Sequence, residues 1–174
     1  QHYLAGRLHE ATVAYRHAAE LRPDDEGLWS TLGGLYLATG RYEAARQAFE
    51  HSIGISPTDA ALSNYGELRY LEQDYAMAAE LFRRALEVDD ADFRIWGNLG
   101  NALRAGTGTG SQAHDAYAEA ARRAEGYVSV DAANAEAPAA LAGYVANLGQ
   151  GDRALRLANE AWRLAPADGG GKAS

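Results

Sequence analysis

Cysteine is absent from this sequence, which excludes disulfides and thiolate metal sites while leaving the redox compartment open. No apolar run reaches the ~18 residues that a membrane-spanning helix needs, so nothing here inserts directly into a membrane. Basic residues are outnumbered, 16 Lys and Arg against 24 Asp and Glu, and the net charge of −8 argues against a nucleic-acid partner, which calls for a basic face. Proline is scarce, at 4 residues, and Pro23 and Pro57 stand where helical patterns stop. Hydrophobic residues make up 47% of the 174 positions, enough to build a core.

What is present is organised around one stretch. Leu28-Trp29-Ser30-Thr31-Leu32-Gly33-Gly34-Leu35-Tyr36 is followed by Gly40-Arg41-Tyr42-Glu43-Ala44-Ala45, then Phe49, then Pro57. Trp29, Leu32, Tyr36 and Phe49 fall at the three- and four-residue spacings that build one apolar face per helix, while Gly33 and Ala45 are small where two helices would touch. The pattern recurs. Gly66, Tyr75, Ala78 and Phe82 each follow a counterpart (Gly33, Tyr42, Ala45, Phe49) by 33 residues. A third copy holds Trp96, Leu99, Gly100, Ala113, Tyr117 and Ala120, and a fourth holds Leu141, Gly149, Ala154, Ala158, Ala161 and Pro166. At the front, Gly6, Ala11, Tyr15, Ala18 and Pro23 match only the second half of a unit.

This order of residues resembles the tetratricopeptide repeat, with its W-x2-L-G-x2-Y, A-x3-F and P positions and a period near 34. Departures are local: Leu62 stands for the first tryptophan, Asp90 for the proline, Ala142 for the glycine and Ala158 for the aromatic. The resemblance implies an all-α fold, an α-α superhelix (solenoid) of stacked antiparallel helix pairs with a concave inner wall. We expect one solenoid over 1–168: a half repeat at 1–25, repeats over about 26–58, 59–92, 93–134 and 135–168, then a disordered tail at 169–174. The W-G-N-L-G-N run, the glycine-bearing insertion and the lengthened following helix also look like C-terminal repeat segments of bacterial multidomain signalling proteins. The chain begins at Gln1 inside a repeat, which predicts a fragment of a longer protein; no compartment is assigned, with the cytoplasm slightly favoured over the periplasm.

Taken in order, 1–5 read as a helical stub, followed by helices over 8–21, 26–39, 41–55, 59–72, 75–88 and 93–105. Asp24 or Asp25, Pro57-Thr58-Asp59 and Asp89-Asp90-Ala91-Asp92 supply capping residues. Gly106-Thr107-Gly108-Thr109-Gly110-Ser111 replaces a short turn, and Ser111 is the expected cap of a helix starting at Gln112. About seven extra residues precede the next unit. Seven is close to two turns, so a helix continuing through Gly126 keeps Ala120, Ala124, Tyr127 and Val130 in phase. Helices over 134–148 and 152–164 close the pattern.

The candidate site lies on Arg94-Ile95-Trp96-Gly97-Asn98-Leu99-Gly100-Asn101-Ala102-Leu103-Arg104. At about 100° per residue, Trp96, Leu99, Gly100 and Leu103 share one face, with Arg94, Asn98 and Asn101 opposite and Arg104 at the edge. The resemblance implies that Asn98 and Asn101 hydrogen-bond the backbone of an extended peptide, since an amide both donates and accepts. Ser63, Asn64, Glu67 and Tyr70 take the equivalent face one repeat earlier. The bland alternative for all eight is a solvated helix face. Arg94 and Arg104 suit an acidic or carboxylate group on a protein or peptide partner. The lysine-and-asparagine carboxylate clamp of some relatives is not intact, because Lys172 is alone in the tail.

No cofactor is implied. Gly106–Gly110 lacks the spacing, preceding strand and lysine of a phosphate cradle. His2, His9, His17, His51 and His114 show no metal spacing, and Ser111, His114 and Asp115 are close neighbours on one turn, which seldom builds a triad. The expected function is therefore a non-catalytic protein-protein interaction module with a peptide or helix in its groove. The alternative is a structural or self-assembly element that stacks through apolar end faces at Leu4, Leu8, Trp162 and Leu164. Two consequences follow for stability. Ala45→Leu or Ala78→Leu should overpack a helix contact and lower urea-unfolding stability by about 1–3 kcal/mol, and Trp29→Ala should cost about 3–5 kcal/mol by leaving a cavity.

Overall fold

The computed structural model describes residues 2–106, 108–130 and 135–165, with the side chains of 2–5 and 130 left aside. Among them are nine helices and no strand. They are α1 (His2–Leu21), α2 (Glu26–Ala38), α3 (Tyr42–Ile55), α4 (Asp59–Leu71) and α5 (Tyr75–Val88), then α6 (Phe93–Ala105), α7 (Gly110–Val130), α8 (Glu136–Asn147) and α9 (Gly151–Leu164). The expected tail at 169–174, Pro166 and Lys172 lie outside the described residues.

Short polar side chains start most of these helices by accepting orphan backbone N–H groups. Asp25 accepts from Leu28 N at 3.1 Å, Thr58 from Ala61 N at 3.1 Å, Asp74 from Met77 N at 3.2 Å and Asp92 from Arg94 N at 2.8 Å. At α7 the expected cap is corrected. Thr109, not Ser111, accepts from Gln112 N at 3.3 Å, and the Gln112 side chain accepts from Thr109 N at 3.1 Å. This reciprocal pair is a capping box, and a T-x-x-Q spacing was there to be read. The front of the chain also differs: α1 is one continuous helix, because Gly6 does not take the left-handed backbone that Gly40 (φ +73°) and Gly149 (φ +77°) use to end helices. Gln73 fills that left-handed position in the second repeat at φ +64°.

Each helix packs on its chain neighbours. Beyond that, α2 touches α4 and α4 touches α6, whereas no comparable contact joins α3 to α5 or α5 to α7 among the described residues. The even-numbered helices are thus crowded on the inside of a curve and the odd-numbered ones fan out, which gives the stack a concave wall. Three apolar clusters run along it, centred on Phe49, on Phe82 with Tyr117, and on Leu141 with Val145.

Within three repeats the same contact recurs. A Cβ built on Gly33 would lie 2.5 Å from the Phe49 ring, one on Gly66 2.7 Å from Phe82, and one on Gly100 2.8 Å from Tyr117. Those distances are impossible for a real side chain, so the glycine sets how closely the two helices approach. In the last repeat both partners change together: Ala142 gains the Cβ and Ala158 loses the ring.

The tryptophans do a different job from the one expected. Trp29 is half-buried, and its Nε1 donates to Pro23 O at 2.9 Å, six residues back; Trp96 donates likewise to Asp90 O at 2.9 Å. They clamp the turn that enters the helix. Trp29→Ala should therefore cost less than a sealed cavity would.

Helix α7 runs on through Gly126 as expected. Ala120 and Ala124 are buried, and Val128 packs on the third cluster, but Tyr127 is half exposed and lies edge-on to Phe93 at 5.3 Å. The glycine-ring contact generates a double-mutant test. Gly66→Ala should destabilise by about 1–3 kcal/mol and Phe82→Ala by about 3–5 kcal/mol. Combined, they should cost less than their sum by at least ~0.5 kcal/mol; additive urea midpoints would contradict the contact.

Candidate functional site

The concave wall carries the polar residues singled out in the sequence, but not as one cluster. A cleft of about 190 Å³ lies between α4 and α6, lined by Glu67, Tyr70, Leu71, Phe82, Asn98 and Asn101. Helical phase explains the grouping: Glu67, Tyr70 and Leu71 are three to four residues apart on α4, as Asn98 and Asn101 are on α6. Asn98 Nδ2 donates to Glu67 Oε1 at 3.3 Å across the two helices. Asn101 Oδ1 accepts from the Tyr117 hydroxyl at 2.8 Å, which leaves its NH2 donors without a partner among the described residues.

Sequence reasoning missed the apolar half of this cleft. Leu71 is 56% exposed at the end of α4, beside the ring of Phe82. Only the packing shows that Phe82, assigned to the core by its repeat position, also forms the floor of an open cleft. Leu71 directly follows Tyr70, which the phase of α4 places on the candidate face, but adjacency alone does not reveal its exposure. Tyr70 itself packs edge-on against Tyr75, centroid to centroid 5.2 Å.

The remaining candidates lie apart. Ser63 is half-buried and donates to Ala60 O at 3.2 Å, and Asn64 is half-buried with no side-chain hydrogen bond among the described residues; neither lines the cleft. Arg94 lines a second cleft of about 160 Å³ with Asp92, Phe93, Tyr127, Glu136 and Ala137. It is already paired: two nitrogens reach Asp92 at 3.0 and 2.7 Å, and Nη1 lies 3.3 Å from Glu136. The expected two-arginine patch is therefore reduced to Arg104. Its Nη1 donates to Asn147 Oδ1 at 2.7 Å, and no carboxylate faces it among the described residues.

Tyr144 ties α8 to this wall. A Cβ on Gly97 would meet its ring at 2.3 Å, so the ring lies flush on the α6 backbone. Burial, with the nearby Asp92 carboxylate, pushes its phenol up to about 12, keeping it a neutral hydroxyl. At the end faces, Trp162 is 80% exposed, while Leu8 and Leu164 are half-buried; the side chain of Leu4 lies outside the described residues.

Elsewhere, Gly106 packs on Tyr75 and Gly108 on Leu103, as a turn. The Ser111 hydroxyl pairs with Thr109 at 2.9 Å rather than with His114. Among the described residues no three His, Asp or Glu side chains converge as metal ligands, and no helix is long and apolar enough to cross a membrane.

This architecture is that of a helical-repeat solenoid whose inner helices present an open cleft. Residues 2–64 match the tetratricopeptide repeat family, and the same helix pair repeats along the stack, so the fold is that of a tetratricopeptide-repeat solenoid. Among curated proteins it is 27% identical over 96 residues to "BBSome complex member bbs-4" of Caenorhabditis elegans, covering 55% of this chain and 21% of that one. It is also 27% identical over 101 residues to human tetratricopeptide repeat protein 7B, covering 58% and 12%. The chain thus spans about a fifth or less of the length of these relatives. Two solved structures share the fold over nearly its full length. MamA (41-end) from Desulfovibrio magneticus RS-1 has a TM-score of 0.65 at 17% identity, covering 93% of this chain and 88% of that one. YrrB, described as "a TPR protein with an unusual peptide-binding site", has a TM-score of 0.59 at 18% identity, covering 94% and 81%.

The Asp92 clamp makes stability depend on pH. Burial alone would raise the Asp92 pKa, but hydrogen bonds from the Arg94 guanidinium and backbone N–H outweigh it and hold the carboxyl below its ordinary 3.8. Asp74 is also lowered, by the Met77 N–H and then by Arg69. A depressed folded value means stabilisation is complete above about pH 4 and is lost as pH falls through the folded value. Urea midpoints measured from pH 7 down to pH 3 should decline, and Asp92→Asn should flatten the decline within the acid window.

Proposed function

We propose that this chain is a non-catalytic interaction module that holds an extended peptide segment of a partner protein along α4 and α6. An apolar side chain of the peptide enters beside Tyr70, Leu71 and Phe82. The amides of Asn98 and Asn101 meet its backbone, and an acidic or carboxylate group lies toward Arg104. The observation that carries this reading is the cleft itself, with an exposed leucine and an aromatic floor next to amide donors that lack partners. That combination of one apolar slot and a few polar groups that fix orientation is what ligand sites share. YrrB, with its peptide-binding site, is a structural precedent, and the nematode relative belongs to a multiprotein complex. The resemblance to repeat segments of bacterial signalling proteins further suggests that the module regulates or localises a neighbouring domain.

A phage-displayed pool of random peptides is the probe. Sequences selected on the wild-type chain should share an apolar residue and a nearby acidic one or a free C-terminus. Leu71→Asp should weaken their binding by about tenfold or more, equivalent to ~1.4 kcal/mol, and Asn98→Ala should weaken it less. Both changes are on exposed or half-exposed positions, so helicity should be kept. Undiminished affinity in both variants would remove the cleft from the reading.

A further inference from the structure

Helix α9 has two apolar sides. Ala154, Leu157 and Ala161 fall on one, and pack or are buried within the last repeat. At about 100° per residue, Leu155, Ala158 and Trp162 fall within about 60° of one another on the other. Leu155 is 67% exposed and Trp162 80%, and nothing among the described residues covers them.

Earlier repeats show what this second side is for. Aligned on Gly40 and Gly149, Trp162 stands where Ile53 stands in α3, and Leu155 where Arg46 does. Ile53 packs against the cluster formed by α4 to α7, and Arg46 reaches Glu72, just past the end of α4, at 2.8 Å. Both positions are therefore contacts to the following helix pair. In α9 the same positions carry a leucine and a tryptophan, larger apolar groups than internal stacking used.

We propose that this face is a homodimer interface, in which two copies of α9 pack antiparallel about a twofold axis. Antiparallel pairing lays Trp162 over the partner's Leu155 twice, with the small Ala158 at the crossing where the helices come closest. Such a patch is self-complementary, as a twofold contact requires. Charge agrees. Asp152 and Arg163 lie on the same flank of the stripe near opposite ends, and neither has an ion-pair partner among the described residues. The twofold brings Asp152 of each copy to the partner's Arg163. A rigid, amphipathic tryptophan on each side of the crossing is a usual kind of anchor for such contacts.

Sedimentation velocity of the 174-residue chain should show the mass rising with concentration from 18.6 kDa to twice that value and no further. Trp162→Asp and Leu155→Asp should each hold it at the monomer mass with unchanged far-UV circular dichroism, as expected for exposed positions. Asp152→Arg and Arg163→Asp should each weaken the dimer several-fold, and the two together should restore it. A chain that stays monomeric through the high-micromolar range overturns the proposal. So does growth beyond the dimer, which means head-to-tail stacking, or a charge swap that restores nothing.

Discussion

A helix without a side chain at one point, pressed against a ring on the next helix, is the contact on which this stack depends. Gly33 with Phe49, Gly66 with Phe82 and Gly100 with Tyr117 hold each pair at a separation that any Cβ would forbid. Close approach buries the ring almost completely, and burial of a large aromatic is the main apolar gain a short helix pair can make. A lone pair could not exploit it, because much of the ring's cover comes from the following repeat, as where Tyr65 stacks on Phe49 at 6.1 Å. Stability is therefore shared between neighbours rather than owned by a unit. The last repeat loses both partners of the contact, and it is there that the outer helix leaves a second apolar side uncovered.

The same crowding produces the candidate surface. Because α2, α4 and α6 touch in series while the outer helices spread, the polar residues on successive inner helices are brought within hydrogen-bonding reach, as with Asn98 and Glu67. Ion pairs then divide that surface. Arg94 is neutralised by Asp92 and Glu136, and Arg69 and Arg46 converge on Glu72 between repeats. These arginines serve the stack. Arg104, facing a neutral amide and the Tyr117 ring but no carboxylate among the described residues, keeps its charge available within a chain of net −8.

Much of the fold was legible because the repeat states it several times over. Helices α5 and α6 begin and end where the spacing of Tyr75, Ala78 and Phe82, and of Phe93, Leu99 and Leu103, places them. The seven-residue insertion reads as continued helix because it preserves phase. Errors fell where a local signal had two uses. Gly6 looked like a turn glycine but lies inside a helix, and Ser111 looked like a cap where Thr109 and Gln112 satisfy each other. At the site, Glu67, Tyr70, Asn98 and Asn101 were legible from helical phase. Leu71 was not, since its exposure depends on how α4 ends, and the pairing of Arg94 with Glu136 spans 42 positions that no local pattern connects.

The sequence by itself determined the helices, their order and their period, because spacing at three and four residues, caps and small residues act within a turn or two of chain. Tertiary structure alone decided which of the polar residues share a cleft, that Arg94 rather than Arg104 is ion-paired, and which side of α9 the other described residues leave uncovered. Those outcomes depend on the distance and angle between helices far apart in the chain, and these follow from packing summed across several repeats rather than from any one of them.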